Sequence, residues 1–197
     1  MEHVSVLPFW TRRRLLRGAL TPPQAVLLAA SATAALLWAH ILVMREDVAL
    51  GAPALLGAVV IAPLTVAAFV DSVCHLLPDP LLLVAGLLTL PSLMLVAARG
   101  EYGAIATAAV TAGCALAVGL ALSSVFSFGR GDAKLLGVLG LWLGSPAPLL
   151  SAVIVALVGA GLYAVILMVA RRATRTTALA LGPWLVGGAA LLWTTGA

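Results

Sequence analysis

Charge is what this sequence lacks most. Only 9% of its 197 residues are charged while 63% are apolar, against about 25% and 45 to 50% in ordinary soluble domains. Such a composition cannot cover a water-facing surface, which excludes a soluble globular fold. It also excludes disorder, because disordered chains are poor in Leu, Val and Ile and rich in charge. Cysteine is scarce too: Cys74 and Cys114 are too few for a disulfide framework and show no CxxC spacing for zinc or redox chemistry. We read both as small apolar residues in or beside helices. The three histidines, His3, His40 and His75, are scattered, and there is no HExxH or GxSxG, so neither a zinc hydrolase nor a serine hydrolase is indicated. No internal repeat at a fixed period is evident.

What is present is a series of long apolar runs, for which the bilayer is the natural solvent. A spanning helix needs roughly 20 residues to cross ~30 Å of hydrocarbon, so the length allows about six to eight crossings and no sizeable soluble domain. The predicted fold is therefore all-α, a polytopic membrane helix bundle of about seven hydrophobic segments. Residues 1–22 form a basic N-terminus carrying Arg12, Arg13, Arg14 and Arg17, and residues 23–197 a single membrane-embedded domain. The segments run from Pro22 to about Met44, Leu50 to Val70, Pro80 to Ala98 and Tyr102 to Phe126. A short one then ends near Leu143, another begins near Leu149, and a last one covers Leu179 to Trp193. The first is read as a retained helix, not a cleaved signal, because more membrane follows it.

The stretch Leu135 to Ala170 holds 36 residues without a charge, too many for one crossing. Gly144, Ser145, Pro146, Ala147 and Pro148 mark its division, since proline cannot continue a helix and glycine accepts turn dihedrals. With the N-terminus inside, nine of the eleven Lys and Arg residues fall on the cytoplasmic side, leaving only Arg45 and Arg99 outside, as the positive-inside rule requires. The short fifth segment is thin for a crossing, and a re-entrant element is the competing description. Gly140 and Gly144 form a GxxxG pair, which implies close helix packing and nothing more.

Four of the seven carboxylates, Glu2, Glu46, Asp47 and Glu101, occupy terminal or loop positions. Asp71, Asp79 and Asp132 lie at span edges, where an ionisable residue points to function. The topology puts Asp71 and Asp132 on the same cytoplasmic face. If two carboxyls approach within a few Å, one keeps a proton while the other acts as base. Such a pair can activate water against a peptide carbonyl and protonate the leaving amine. Gly129 and Gly131, just before Asp132, allow a substrate backbone close approach or a special turn. Lys134 would keep the local field positive. Pro78 breaks a helix that would carry Asp71 into the next span, Asp79 has the place of a helix cap, and His75 either tunes Asp71 from the same helical face or has a structural, snorkelling role.

The run "DSVCHLLPD", then "GRGDAKLLG", then "LGPWL" resembles the bacterial type IV prepilin peptidases among the GxGD membrane aspartic proteases. The resemblance covers about Val66 to Leu185. It implies that Asp71 and Asp132 are the catalytic aspartates and that Gly129, Gly131 and Lys134 match one motif. Pro78 and Asp79 match a second, and Gly182 and Pro183 the C-terminal GP. It further implies cleavage of a short basic leader from prepilin or pseudopilin precursors at the cytoplasmic face of a bacterial inner membrane. No cofactor, metal or nucleic acid is implied, and the partners are the precursor and the lipid bilayer. Larger members carry a cysteine-rich domain linked to N-methylation. Residues 1–22 hold no cysteine, so the chain resembles the short, peptidase-only form. Cys74 and His75 stand where relatives often carry basic residues. The competing classes are a proton-coupled transporter, which would place acids near the midplane, and a non-catalytic pilin-binding assembly component.

Overall fold

The computed structural model describes residues 51–125, 128–171, 174 and 179–195. The predicted first segment, the basic run at residues 12–17 and Arg172 and Arg175 lie outside the described residues. Within them the protein is helical: α1 Gly51–Cys74, α2 Asp79–Ala98, α3 Tyr102–Val125, α4 Arg130–Leu143, α5 Pro146–Val169 and α6 Gly182–Thr195. Three of these, α2, α3 and α5, are long and apolar enough to cross a membrane by length and composition. The described residues therefore define a helical membrane bundle without reaching seven spans. With 14 residues each, α4 and α6 extend only about 21 Å at 1.5 Å per residue, short of the ~30 Å hydrocarbon core.

Local chemistry accounts for the helix ends. The α2–α3 turn is a Schellman closure, with Gly100 at φ 80°, Gly100 N–H donating to Ala97 O at 2.9 Å and Glu101 N–H to Val96 O at 3.2 Å. Only a residue without a side chain takes that φ cheaply. The long apolar stretch divides where predicted, at Gly144 in the left-handed region and Ser145 as the extended N-cap of α5. Two helices depart from their predicted limits. Asp71 does not stop the second apolar segment; α1 continues through it to Cys74, so the acid rides on the last helical turn. The short helix begins at Arg130 and not near Leu135, which brings Asp132 into its first turn.

The helices alternate in direction and pack around α4. Leu135 and Leu139 of α4 lie fully buried among Val60, Leu64 and Ala67 of α1, Ala85 of α2 and Leu185 and Ala189 of α6. On the α3 side the contact is made by small residues. A Cβ on Gly119 would stand 2.8 Å from the Ala133 backbone, and one on Gly140 3.0 Å from Ala112, as in membrane bundles held by close backbone approach. The pairing 119 with 133 and 112 with 140 makes α3 and α4 antiparallel. Buried Thr89 and Thr111 return their hydroxyls to the carbonyls of Gly86 and Thr107 in their own helices, as an apolar surrounding requires. Large apolar side chains such as Leu83, Val110, Ile154 and Val158 face outward.

This alternation brings to one end the C-termini of α1, α3 and α5 and the N-termini of α2, α4 and α6. Asp71, Asp79, Asp132 and Lys134 lie there.

Candidate active site

Asp71 is 6% exposed. Its Oδ2 accepts the Gly182 N–H at 3.0 Å, a contact between residues far apart in sequence. Gly182 opens α6, where the first N–H groups lack helical partners. A Cβ at position 182 would lie 2.7 Å from that same Oδ2 and 3.2 Å from the Asp71 Cγ. Glycine is therefore demanded by space, a reason that the resemblance alone did not supply. Pro183 follows in the first turn of α6, where a missing N–H costs nothing.

His75 does not continue the face of α1. It takes φ 51° and its N–H closes the helix on Asp71 O at 2.8 Å. Its side chain is exposed, close enough to act on Asp71 electrostatically. Pro78 is buried and extended (φ −72°, ψ 116°), and it is Pro78, not Asp79, that occupies the N-cap of α2. The predicted capping role of Asp79 is thereby corrected. Asp79 stands one position later, where its charge suits the helix dipole and its carboxylate is free to turn outward. Lys134 Nζ reaches both of its oxygens at 2.7 Å. The lysine predicted to serve the field around Asp132 is thus paired with Asp79.

Asp132 is the third residue of α4, and its carboxylate accepts the backbone N–H of the N-cap residue, Gly129. This is the reciprocal half of a capping box. A Cβ on Gly129 would lie 2.8 Å from Asp132 Oδ2, and one on Gly131 2.9 Å from Leu77 Cβ. Both motif glycines therefore answer to close approach. The Asp132 carboxyl is pushed up to about 6, first by burial and second by the Asp71 charge, against the opposing Gly129 N–H. The charge of Asp71, on a separate helix, thus disfavours ionisation of Asp132.

The structure pairs Asp71 with Gly182 and Asp132 with Gly129, and pairs Asp79 with Lys134 at the same end of the bundle. Leu77, which packs on Gly131, and Gly119, which backs Ala133, were not singled out from sequence. Nothing in an Ala, Leu and Gly-rich sequence distinguishes them from their neighbours.

A helical membrane bundle with two coupled carboxyls at its helix ends is the class that fold and site define. The chain belongs to the type IV leader peptidase family, whose sequence profile matches residues 58–169. That span holds both acids and Lys134 and ends before Gly182. No curated protein and no solved structure matches the chain. Family membership makes this a membrane peptidase.

Proposed function

We propose that this peptidase is an aspartic endopeptidase that removes the short basic leader from prepilin-like or pseudopilin precursors at the cytoplasmic membrane face. The observation that carries the reading is the placement of two acids from different helices at one end of the bundle, Asp71 in the last turn of α1 on the Gly182 N–H and Asp132 in the first turn of α4. One carboxyl is ionised and takes a proton from a water molecule as the water oxygen bonds to the scissile carbonyl carbon. The other, protonated, gives its proton to the carbonyl oxygen. Collapse of the tetrahedral intermediate breaks the C–N bond: the amine leaves with the proton of the carboxyl that collected one, and a hydroxyl of the intermediate returns its proton to the other carboxyl. The N-termini of α2, α4 and α6 face this end, and their dipoles favour the negative charge that develops on the oxygen.

Sidedness rests on the charges. Arg130, Lys134 and Arg171 lie at the end that holds the acids, and Arg99 at the other, the asymmetry of a cytoplasmic site. A seven-segment arrangement with residues 1–22 inside is part of this proposal. The acids lie at one edge and not at mid-depth, which favours a peptidase over a transporter.

The test is co-expression in membranes with a precursor bearing a basic leader that ends in Gly. Wild type is expected to shorten the precursor by the leader mass, and Asp71→Asn and Asp132→Asn to leave it intact while still inserting. Processing by both variants would refute the catalytic pair.

A further inference from the structure

We propose that the Asp79–Lys134 ion pair is a positioning device that ties the segment bearing Asp71 to the helical turn bearing Asp132, and so sets the separation at which the two carboxyls meet. The proposal rests on the reading of these acids as the catalytic pair.

The first turn of α4 is held from three sides. Gly131 packs on Leu77, in the turn between α1 and α2, where an added Cβ would clash at 2.9 Å, and Ala133 packs on Gly119 of α3, where an added Cβ would clash at 2.8 Å. Asp132 is the residue between them. The third hold is polar: Lys134 Nζ bridges both oxygens of Asp79 at 2.7 Å. Asp79 begins α2 and follows Asp71 by one short turn, so the bridge acts directly across the two acids. Below it, α2 and α4 part around an open furrow of about 600 Å³ lined by Leu82, Leu83, Gly86, Leu87 and Val138. On the inner side Leu82 and Ala85 of α2 share the core with Leu135 and Leu139 of α4, and the ion pair adds a polar tie between the two helices on the outer side, beside the furrow.

Stability does not explain the pair. Its side chains are 46% and 66% exposed, and such exposed bridges contribute little. Lys134, in the second turn of α4, stands opposite Asp79, whose charge suits the start of α2. A two-pronged contact from one ammonium to both carboxylate oxygens fixes position more than it adds energy. Among the described residues, the other charged or titratable groups at this end are His75 on the α1–α2 turn, Arg130 on α4, Arg171 after α5 and the two acids; residues 115–125 of α3 and all of α6 carry none.

The test uses the full chain in membranes, comparing Asp79→Asn, Lys134→Met, Lys134→Arg and the reversed pair Asp79→Lys/Lys134→Asp. Each of the first two is expected to lower kcat about ten-fold or more with KM within about two-fold, because small displacements of reacting groups are costly. The alkaline limb of kcat/KM should move to lower pH, as Asp132 is relieved of the Asp71 charge. Lys134→Arg keeps the tie and should stay near wild type. The reversed pair should recover most of the loss and return the limb, the signature of a direct pairwise coupling. Single variants within two-fold of wild type, or a reversed pair no better than the singles, would overturn the proposal. A readout independent of cutting separates this failure from that of the proposed function. In a Cys74→Ser/Cys114→Ser background, cysteines at 71 and 132 joined by a short bifunctional thiol reagent should crosslink more slowly with Asp79→Asn and recover with the reversed pair. Unchanged crosslinking would sink the tie even if the wild type cuts; a changed rate would uphold it even if the wild type does not.

Discussion

Gly182 shows how a single missing side chain organises the site. Its N–H reaches Asp71 Oδ2 at 3.0 Å because nothing projects from its Cα, and a methyl group would meet that oxygen at 2.7 Å. Gly182→Ala is therefore expected to reduce leader cleavage at least about ten-fold, as misplacement of a catalytic group does, while the protein still inserts. Cleavage at the wild-type rate would show that the contact is dispensable. Asp132 makes a prediction of opposite sign for stability. A carboxyl raised from 3.8 to about 6 in the folded chain is destabilised in its ionised form. Its favourable contribution is complete below the unfolded value and lost as pH rises through about 6. Asp132→Asn should thus melt near wild type at pH 4 and at a higher temperature at pH 8, although it is inactive. A lower melting temperature at pH 8 would contradict the burial and repulsion invoked here. The same value places the alkaline limb of wild-type kcat/KM near pH 6, since that profile reports the free enzyme.

Among the elements, α4 carries most of the consequence. Its contact with α3 leaves no room at Gly119, where a Cβ would stand 2.8 Å from both the backbone and the Cβ of Ala133, whereas Gly113 of the same helix has nothing within 4 Å. Gly119→Ala should cost about 1 to 3 kcal/mol through overpacking and depress cleavage by moving Asp132. Gly113→Ala should leave thermal unfolding and cleavage near wild type. Equal effects would mean that the α3–α4 contact is looser than described. The element limits also show where the sequence was legible. The division of residues 135–170 could be read because Gly144 and the prolines after it have strong backbone preferences. The continuation of α1 through Asp71 could not, because the helix dipole disfavours an acid in the last turn and only the Gly182 N–H that Asp71 accepts shows what compensates. Asp79 and Lys134 were both singled out, yet their bond was not. Asp79 before a proline reads locally as a cap, and only the packing of α2 beside α4 turns it toward a lysine on another helix.

For the whole molecule, the alternating helices gather the C-terminus of α1 and the N-termini of α2, α4 and α6 at one end and the Arg99–Glu101 turn at the other. If the acids face the cytoplasm, Leu76→Cys in a Cys74→Ser/Cys114→Ser background should react with a membrane-impermeant thiol reagent only from the cytoplasmic side. Gly100→Cys should react only from the opposite side, and reversed labelling would invert the topology. The coarse architecture was legible because apolar run length reports membrane depth directly. The placement of Asp71 and Asp132 at one end was legible only as a shared face; its geometry depends on glycine contacts across helices that no local pattern encodes.

The most direct test of the central claim is cleavage of a purified leader-bearing precursor by the purified full chain in lipid nanodiscs, followed by mass spectrometry for wild type, Asp71→Asn and Asp132→Asn. One cut by wild type is expected, between the basic leader and the apolar segment, and none by either variant even at long times. Cutting by either variant at a rate comparable to wild type would contradict the central claim.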